Sequence, residues 1–202
     1  MRLVAAVAGR GIGPSRPGRT GLSQDIQQNK DSFEKPTLSF TAVTDVGVNS
    51  LARADTALKG LTTLGLASTK VADAGMKGLA HRNTGLKRLR ILNLAYTLVT
   101  DAGVKELADT GTCFGGLVSL YLHGTTVTDV GVEILVRPDS GLIGLKTLDL
   151  GATRVTDSGV KRLARADSGL KGLTWLGLAS TRVTDAGVRA TQERWPGIQI
   201  VQ

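Results

Sequence analysis

The chain of 202 residues is long enough for one substantial core, and its 41% apolar and 21% charged residues are those of an ordinary globular protein. Aromatics make up only 3%, so the core has to be built from Leu, Val and Ala. No apolar run approaches the ~20 residues of a membrane-spanning helix, and the single cysteine, Cys113, excludes an internal disulfide. The formal net charge is +8: residues 1–35 contribute +3 (six Lys/Arg against three Asp/Glu) and the remainder +5 (19 against 14).

Residues 1–32 read as a basic tail or a partial N-terminal cap. Arg2, Arg10, Arg16 and Arg19 precede the first acid, and the apolar stretch Leu3 to Ala8 is shorter than a secretory signal requires. The segment "GRGIGP" at 9–14 is half of a dinucleotide fingerprint, but Pro14 stands in the third glycine position and no strand–helix–strand unit follows. With no sign of an oxidising compartment, the cytoplasm is the expected location.

Beyond residue 33 the chain is an array. "TDVGV" at Asp45, "ADAGM" at Asp73, "TDAGV" at Asp101, "TDVGV" at Asp129, "TDSGV" at Asp157 and "TDAGV" at Asp185 are spaced by 28 residues throughout. A fixed period of this size marks a solenoid. Between the Asp positions Leu61, Leu64 and Leu66 recur as Leu89, Leu92 and Leu94, and so on to Leu173, Leu176 and Leu178. The L-x-L part has period two and predicts a short strand with one face inward. After the Asp, Val160, Leu163 and Ala164 stand at i, i+3 and i+4, as Val104, Leu107 and Ala108 do, which predicts a short helix with one buried stripe. Strand and helix alternate, so the fold class is α/β, with like strands side by side in a parallel sheet. Each Asp precedes a helical stripe, where its carboxylate is expected to cap the first turn; the Gly two residues later lets neighbouring coils approach.

The pattern L-x-x-L-x-L-x-x-T-x-V-T-D-x-G-V-x-x-L resembles the leucine-rich repeat, over residues 33–202. Its period resembles the ribonuclease-inhibitor-like and F-box-associated subtypes. That resemblance implies a right-handed solenoid bent into a horseshoe arc, with the parallel sheet on the concave face and short helices on the convex face. It divides 33–202 into a degenerate first repeat, five full repeats and a C-terminal cap from about residue 192. The family's usual Asn is replaced by Thr69, Thr97, Thr125, Thr153 and Thr181. No F-box-like segment precedes the repeats, so a ubiquitin-ligase role does not carry over.

In such an array the strand residues between the leucines point away from the core. Both tyrosines, one tryptophan and one histidine fall among them, against a background of very few aromatics. Ile91, Asn93, Tyr96, Tyr121, His123, Asp149 and Trp175 are therefore the expected partner-binding residues, since Tyr and Trp anchor binding hot spots. The implied function is a non-enzymatic, monomeric protein-interaction module without cofactor or metal. Ser119, His123 and Asp149 suggest a hydrolytic triad, but residues four apart on a strand are ~13 Å apart, far beyond a hydroxyl–base contact. One Asp per turn is too few ligands for calcium. The rival function is electrostatic binding of nucleic acid or acidic partners through two cationic rows: Lys77, Lys105, Lys161 and Arg189, and Lys70, Arg154 and Arg182. Cys113 stands where other repeats have Gly85, Gly141 and Gly169, and would be strained if that column required a left-handed backbone.

Overall fold

The computed structural model describes residues 38–53, 60–81, 84–109 and 111–202. The expected tail at 1–32 lies outside them, as do Phe33 and Pro36 of the expected first repeat. The elements run α1 (Asp45–Arg53), β1 (Thr63–Gly65), α2 (Asp73–Ala80), β2 (Ile91–Asn93), α3 (Asp101–Ala108), β3 (Ser119–Tyr121), α4 (Asp129–Leu135), β4 (Thr147–Asp149), α5 (Asp157–Leu163), β5 (Trp175–Gly177), α6 (Asp185–Arg194) and β6 (Gln199–Val201). The strands form one parallel sheet in sequence order. Register follows the sequence period: Thr63 pairs with Ile91, Ile91 with Ser119, Ser119 with Thr147 and Thr147 with Trp175. The last pairing, Trp175 with Gln199, closes a shorter turn.

One continuous core lies between sheet and helices. The middle strand leucines, Leu64, Leu92, Leu120, Leu148 and Leu176, are buried in a single file, and Val48, Met76, Val104, Val132, Val160 and Val188 face them from the helices. Among the described residues Phe114 is the one fully buried aromatic, standing in the column of Leu86, Leu142 and Leu170. A single coil buries too few aliphatics to offset the ordering of its backbone, so each coil depends on its neighbours.

Every coil leaves its strand through the same strained joint. Phe40, Ser68, Tyr96, Ala152 and Ser180 have φ between 51° and 62°, and Gly124 has 68° at the equivalent position. A non-glycine residue in this left-handed region costs roughly 1–2 kcal/mol. Two bonds hold it there. The N–H of Tyr96 donates to His123 O at 2.7 Å and that of Ala152 to Ala179 O at 2.7 Å, continuing the sheet past the strand. The next residue, the Thr that replaces the family's Asn, returns its hydroxyl to the leucine carbonyl three residues back (Thr97 to Leu94 and Thr125 to Leu122, both 2.7 Å). A hydroxyl thus suffices for the bond that stabilises the turn.

The repeated Asp does not cap its own helix. Thr100, Thr128, Thr156 and Thr184 are the N-cap residues, each hydroxyl accepting from the N–H two residues on. The Asp occupies the first helical position and reaches into the following coil. Asp129 accepts from the Thr156 N–H at 2.8 Å and from the Thr156 hydroxyl at 2.6 Å. Asp73, Asp101 and Asp157 hold Thr100, Thr128 and Thr184 in the same way. The reason is geometric: a carboxylate at the first helical position projects sideways, toward the next helix start one coil away. The Gly of that coil leaves room for it, since a Cβ on Gly103, Gly131, Gly159 or Gly187 would collide with the incoming Asp oxygen. At the start of the array Ala72 replaces the Thr; Asp45 keeps only the backbone bond, and α2 has no side-chain cap.

Candidate binding surface

Four loops and strands of successive coils bring the large side chains of the sheet face into one line. The Tyr96 and His123 rings meet edge to face, with centroids 5.1 Å apart and planes at 64°. His123 Nδ1 lies 3.7 Å from Asp149 Oδ1, with the two side chains 28% and 19% exposed. Asp149 and the Trp175 ring converge over Gly177, where an added Cβ would strike both. Tyr121 sits beside this line, paired in register with Asn93 on one side and Asp149 on the other. Ile91 and Asn93, both half-buried, extend the surface toward the first coils.

The floor of the line is glycine. His123 lies over Gly151, Asp149 over Gly177 and Tyr96 over Gly124, and a Cβ at any of these three would overlap the overlying side chain. In each case the glycine follows the large residue by one period. That spacing is present in the sequence and is the signal by which the residues alone could have identified the line: each large side chain leans onto the next coil, where its counterpart has no side chain.

The structure bears further on the rejected triad and on the Cys113 column. Ser119 points to the sheet face but is only 8% exposed, so the hydroxyl of the supposed triad is buried as well as distant. Gly65 and Gly177 are likewise buried. The column of Cys113 has no left-handed requirement: among the described glycines only Gly111 and Gly124 have positive φ. What Gly141 and Gly169 provide is room, since a Cβ at either would meet backbone carbonyl oxygens. Cys113 is buried; its thiol donates to Leu79 O at 3.3 Å and accepts from the Thr84 hydroxyl at 3.1 Å. Burial pushes the thiol pKa up, which keeps it protonated and unreactive at neutral pH.

The cationic rows lie elsewhere. Lys77, Lys105, Lys161 and Arg189 are exposed on the helices, and their column is broken by Glu133, which pairs with Arg162 of the next coil. Lys70, Arg154 and Arg182 are exposed in the loops before the helices, with Leu98 and Thr126 interrupting them. Arg137 with Asp139 and Arg165 with Asp167 form exposed two-point ion pairs within their own loops. No group of three His, Cys, Asp or Glu side chains among the described residues could hold a metal ion. No helix among them is long and apolar enough to cross a membrane.

The family profile described as Leucine Rich repeat matches residues 145–164, which hold β4, the turn after it and α5. The crystal structure of an internalin (inlF) from Listeria monocytogenes superposes with a TM-score of 0.53 over 83% of this chain. The fold is a leucine-rich-repeat solenoid. Identity to that internalin is 17%, which carries the fold alone, and the chain spans 47% of the internalin's length. No curated protein sequence matches. Within the leucine-rich repeat the side chains that recur from coil to coil, Leu, Thr, Asp and Gly, are those buried or bonded between coils. The line from Tyr96 to Trp175 is made of those that do not recur.

Proposed function

We propose that this leucine-rich-repeat protein is a non-enzymatic protein-interaction module that takes a partner on its sheet face. Tyr96, Tyr121, His123, Asp149 and Trp175 form the centre of the contact, and Ile91 and Asn93 extend it. The observation that carries the reading is the continuous line of non-repeating aromatic and polar side chains across four coils, seated on glycines. Large, rigid aromatic groups of this kind contribute most of the energy at protein interfaces. The 28-residue register supports a ribonuclease-inhibitor-like form of the repeat. Replacing Tyr96, Tyr121 and Trp175 together with Ala is expected to abolish partner capture while circular dichroism and the melting profile stay close to wild type. Unchanged capture by the folded triple variant refutes the assignment.

The rival reading rests on the exposed Lys77, Lys105, Lys161 and Arg189. Salt separates the two: binding of a polyanion through these rows falls steeply with ionic strength, whereas a contact anchored by aromatic rings falls little.

A further inference from the structure

The turn that Asp149 holds does not need its charge. In the column that runs through the third residue of each strand, Asn93 and Asp149 stand in equivalent positions. Asn93 Oδ1 accepts from the Ala95 N–H at 3.0 Å, and Asp149 Oδ1 accepts from the Gly151 N–H at 2.9 Å. A neutral amide therefore makes the same turn two coils earlier. A carboxylate with a side chain only 19% exposed carries a desolvation cost that an amide avoids. His123 does not offset it by a hydrogen bond, because 3.7 Å is too long for one. The second carboxylate oxygen, Oδ2, makes no hydrogen bond among the described residues. Asp149 is also the only acidic residue among 63–68, 91–96, 119–124, 147–152 and 175–180, the segments that make the sheet face.

The surroundings of Asp149 suit one kind of group. Its carboxylate and the Trp175 ring share the space above Gly177, with Tyr121 on the neighbouring strand and the His123 ring on the other side. A carboxylate whose Oδ2 is free, and whose Oδ1 keeps a second lone pair beside the Gly151 N–H bond, attracts next to an indole a cation that can lie flat on the ring while donating two parallel N–H bonds. A guanidinium does both, whereas an ammonium offers only a point charge to either. The chain's excess positive charge does not oppose this, because its rows lie on the helices and outer loops, and salt screens exposed charges beyond about 8–10 Å.

We infer that Asp149 and Trp175 form a receptor for an arginine side chain of the protein partner. This deepens the proposed function and rests on it: the aromatic line supplies contact area, and the Asp149–Trp175 step selects a basic residue at its end.

The test uses N-acetyl-arginine amide, N-acetyl-lysine amide and N-acetyl-citrulline amide as probes, with the two indole N–H signals observed by NMR. Trp195, only 9% exposed, serves as the internal control. The arginine probe is expected to shift the Trp175 signal with millimolar half-saturation; lysine should act more weakly, and citrulline, which keeps the shape but not the charge, should not act at all. Asp149→Asn is expected to weaken the arginine response about tenfold or more, as befits loss of a charge-assisted bond, and Asn93 shows that this column accepts the amide. No arginine-selective shift, an equal response to citrulline, or an Asp149→Asn response equal to wild type overturns the inference. Failure here with capture still lost in the triple aromatic variant leaves the interaction face standing without its arginine receptor. An arginine response with capture unchanged in that variant refutes the wider face instead.

Discussion

At the scale of single residues, the repeated Asp acts one coil away from where it is attached, while the repeated Thr side chains act within their own coil. Asp129 illustrates the point: it satisfies both the backbone N–H and the hydroxyl of Thr156, twenty-seven positions later. Removing it leaves a half-buried N–H without a partner, a loss of about 1–3 kcal/mol. Asp185 opens α6, and among the described residues no further helix start follows it and its side chain makes no hydrogen bond. Asp129→Ala is therefore expected to destabilise by about 1–3 kcal/mol, and Asp185→Ala only by the ~0.3–1 kcal/mol of a charge at a helix start. Urea denaturation of the two variants checks this, and equal losses would show that the Asp acts within its own helix. The sequence placed these residues at helix starts but not the direction of their bonds. A one-dimensional pattern gives the position along the chain, and the reach of a side chain between coils depends on how the coils stack.

At the scale of the element, strand, turn and helix were legible because their periods differ. Leu92 and Leu94 alternate; Val104, Leu107 and Ala108 follow a helical stripe. The left-handed residue before each Thr was not legible, because four of its six occupants with positive φ, Phe40, Ser68, Tyr96 and Ala152, share no chemistry. The backbone takes that conformation to carry the sheet bonds forward, and the side chain has no vote. One bonded carboxylate, that of Asp157, also gives the fold a pH dependence. At Asp157 the N–H and then the hydroxyl of Thr184 hold the pKa below the ordinary carboxylate value. A folded-state pKa lowered in this way adds stability that is complete above the unfolded value of about 3.9 and is lost as pH falls through the folded value. The melting temperature is expected to hold from pH 7 to pH 5 and to fall below pH 4, with a smaller fall in Asp157→Asn. An identical acid profile for that variant would remove the carboxylate from the account.

At the scale of the whole molecule, stability is shared between neighbours, so position in the array matters. Leu120 is fully buried at the middle strand, with coils on both sides, whereas Ile200 on the last strand is half-buried. Leu120→Ala is expected to cost about 2–5 kcal/mol, and Ile200→Ala clearly less. Denaturation midpoints compared at constant m-value decide it, and equal costs would contradict a nearest-neighbour array. Helix α6 also differs chemically: Thr191 takes the place of the helix leucine and donates its hydroxyl to Gly187 O at 2.9 Å, and Trp195 is buried beside it in the core.

The sequence by itself determined the repeat, the alternation of strand and helix, and the set of side chains on the sheet face. All three follow from periodicity, which is a property of the chain alone. Only the tertiary structure decided which of those side chains meet. Tyr96, His123, Asp149 and Trp175 are separated by 26 or 27 residues each, and they converge because every coil advances the chain by one strand spacing and Tyr96, His123 and Asp149 each lean onto a glycine of the next. Ser119 shares their face and is buried among its neighbours. The charge of Asp149, ordinary in the sequence, becomes unexplained only when Asn93 is seen making the same turn without it.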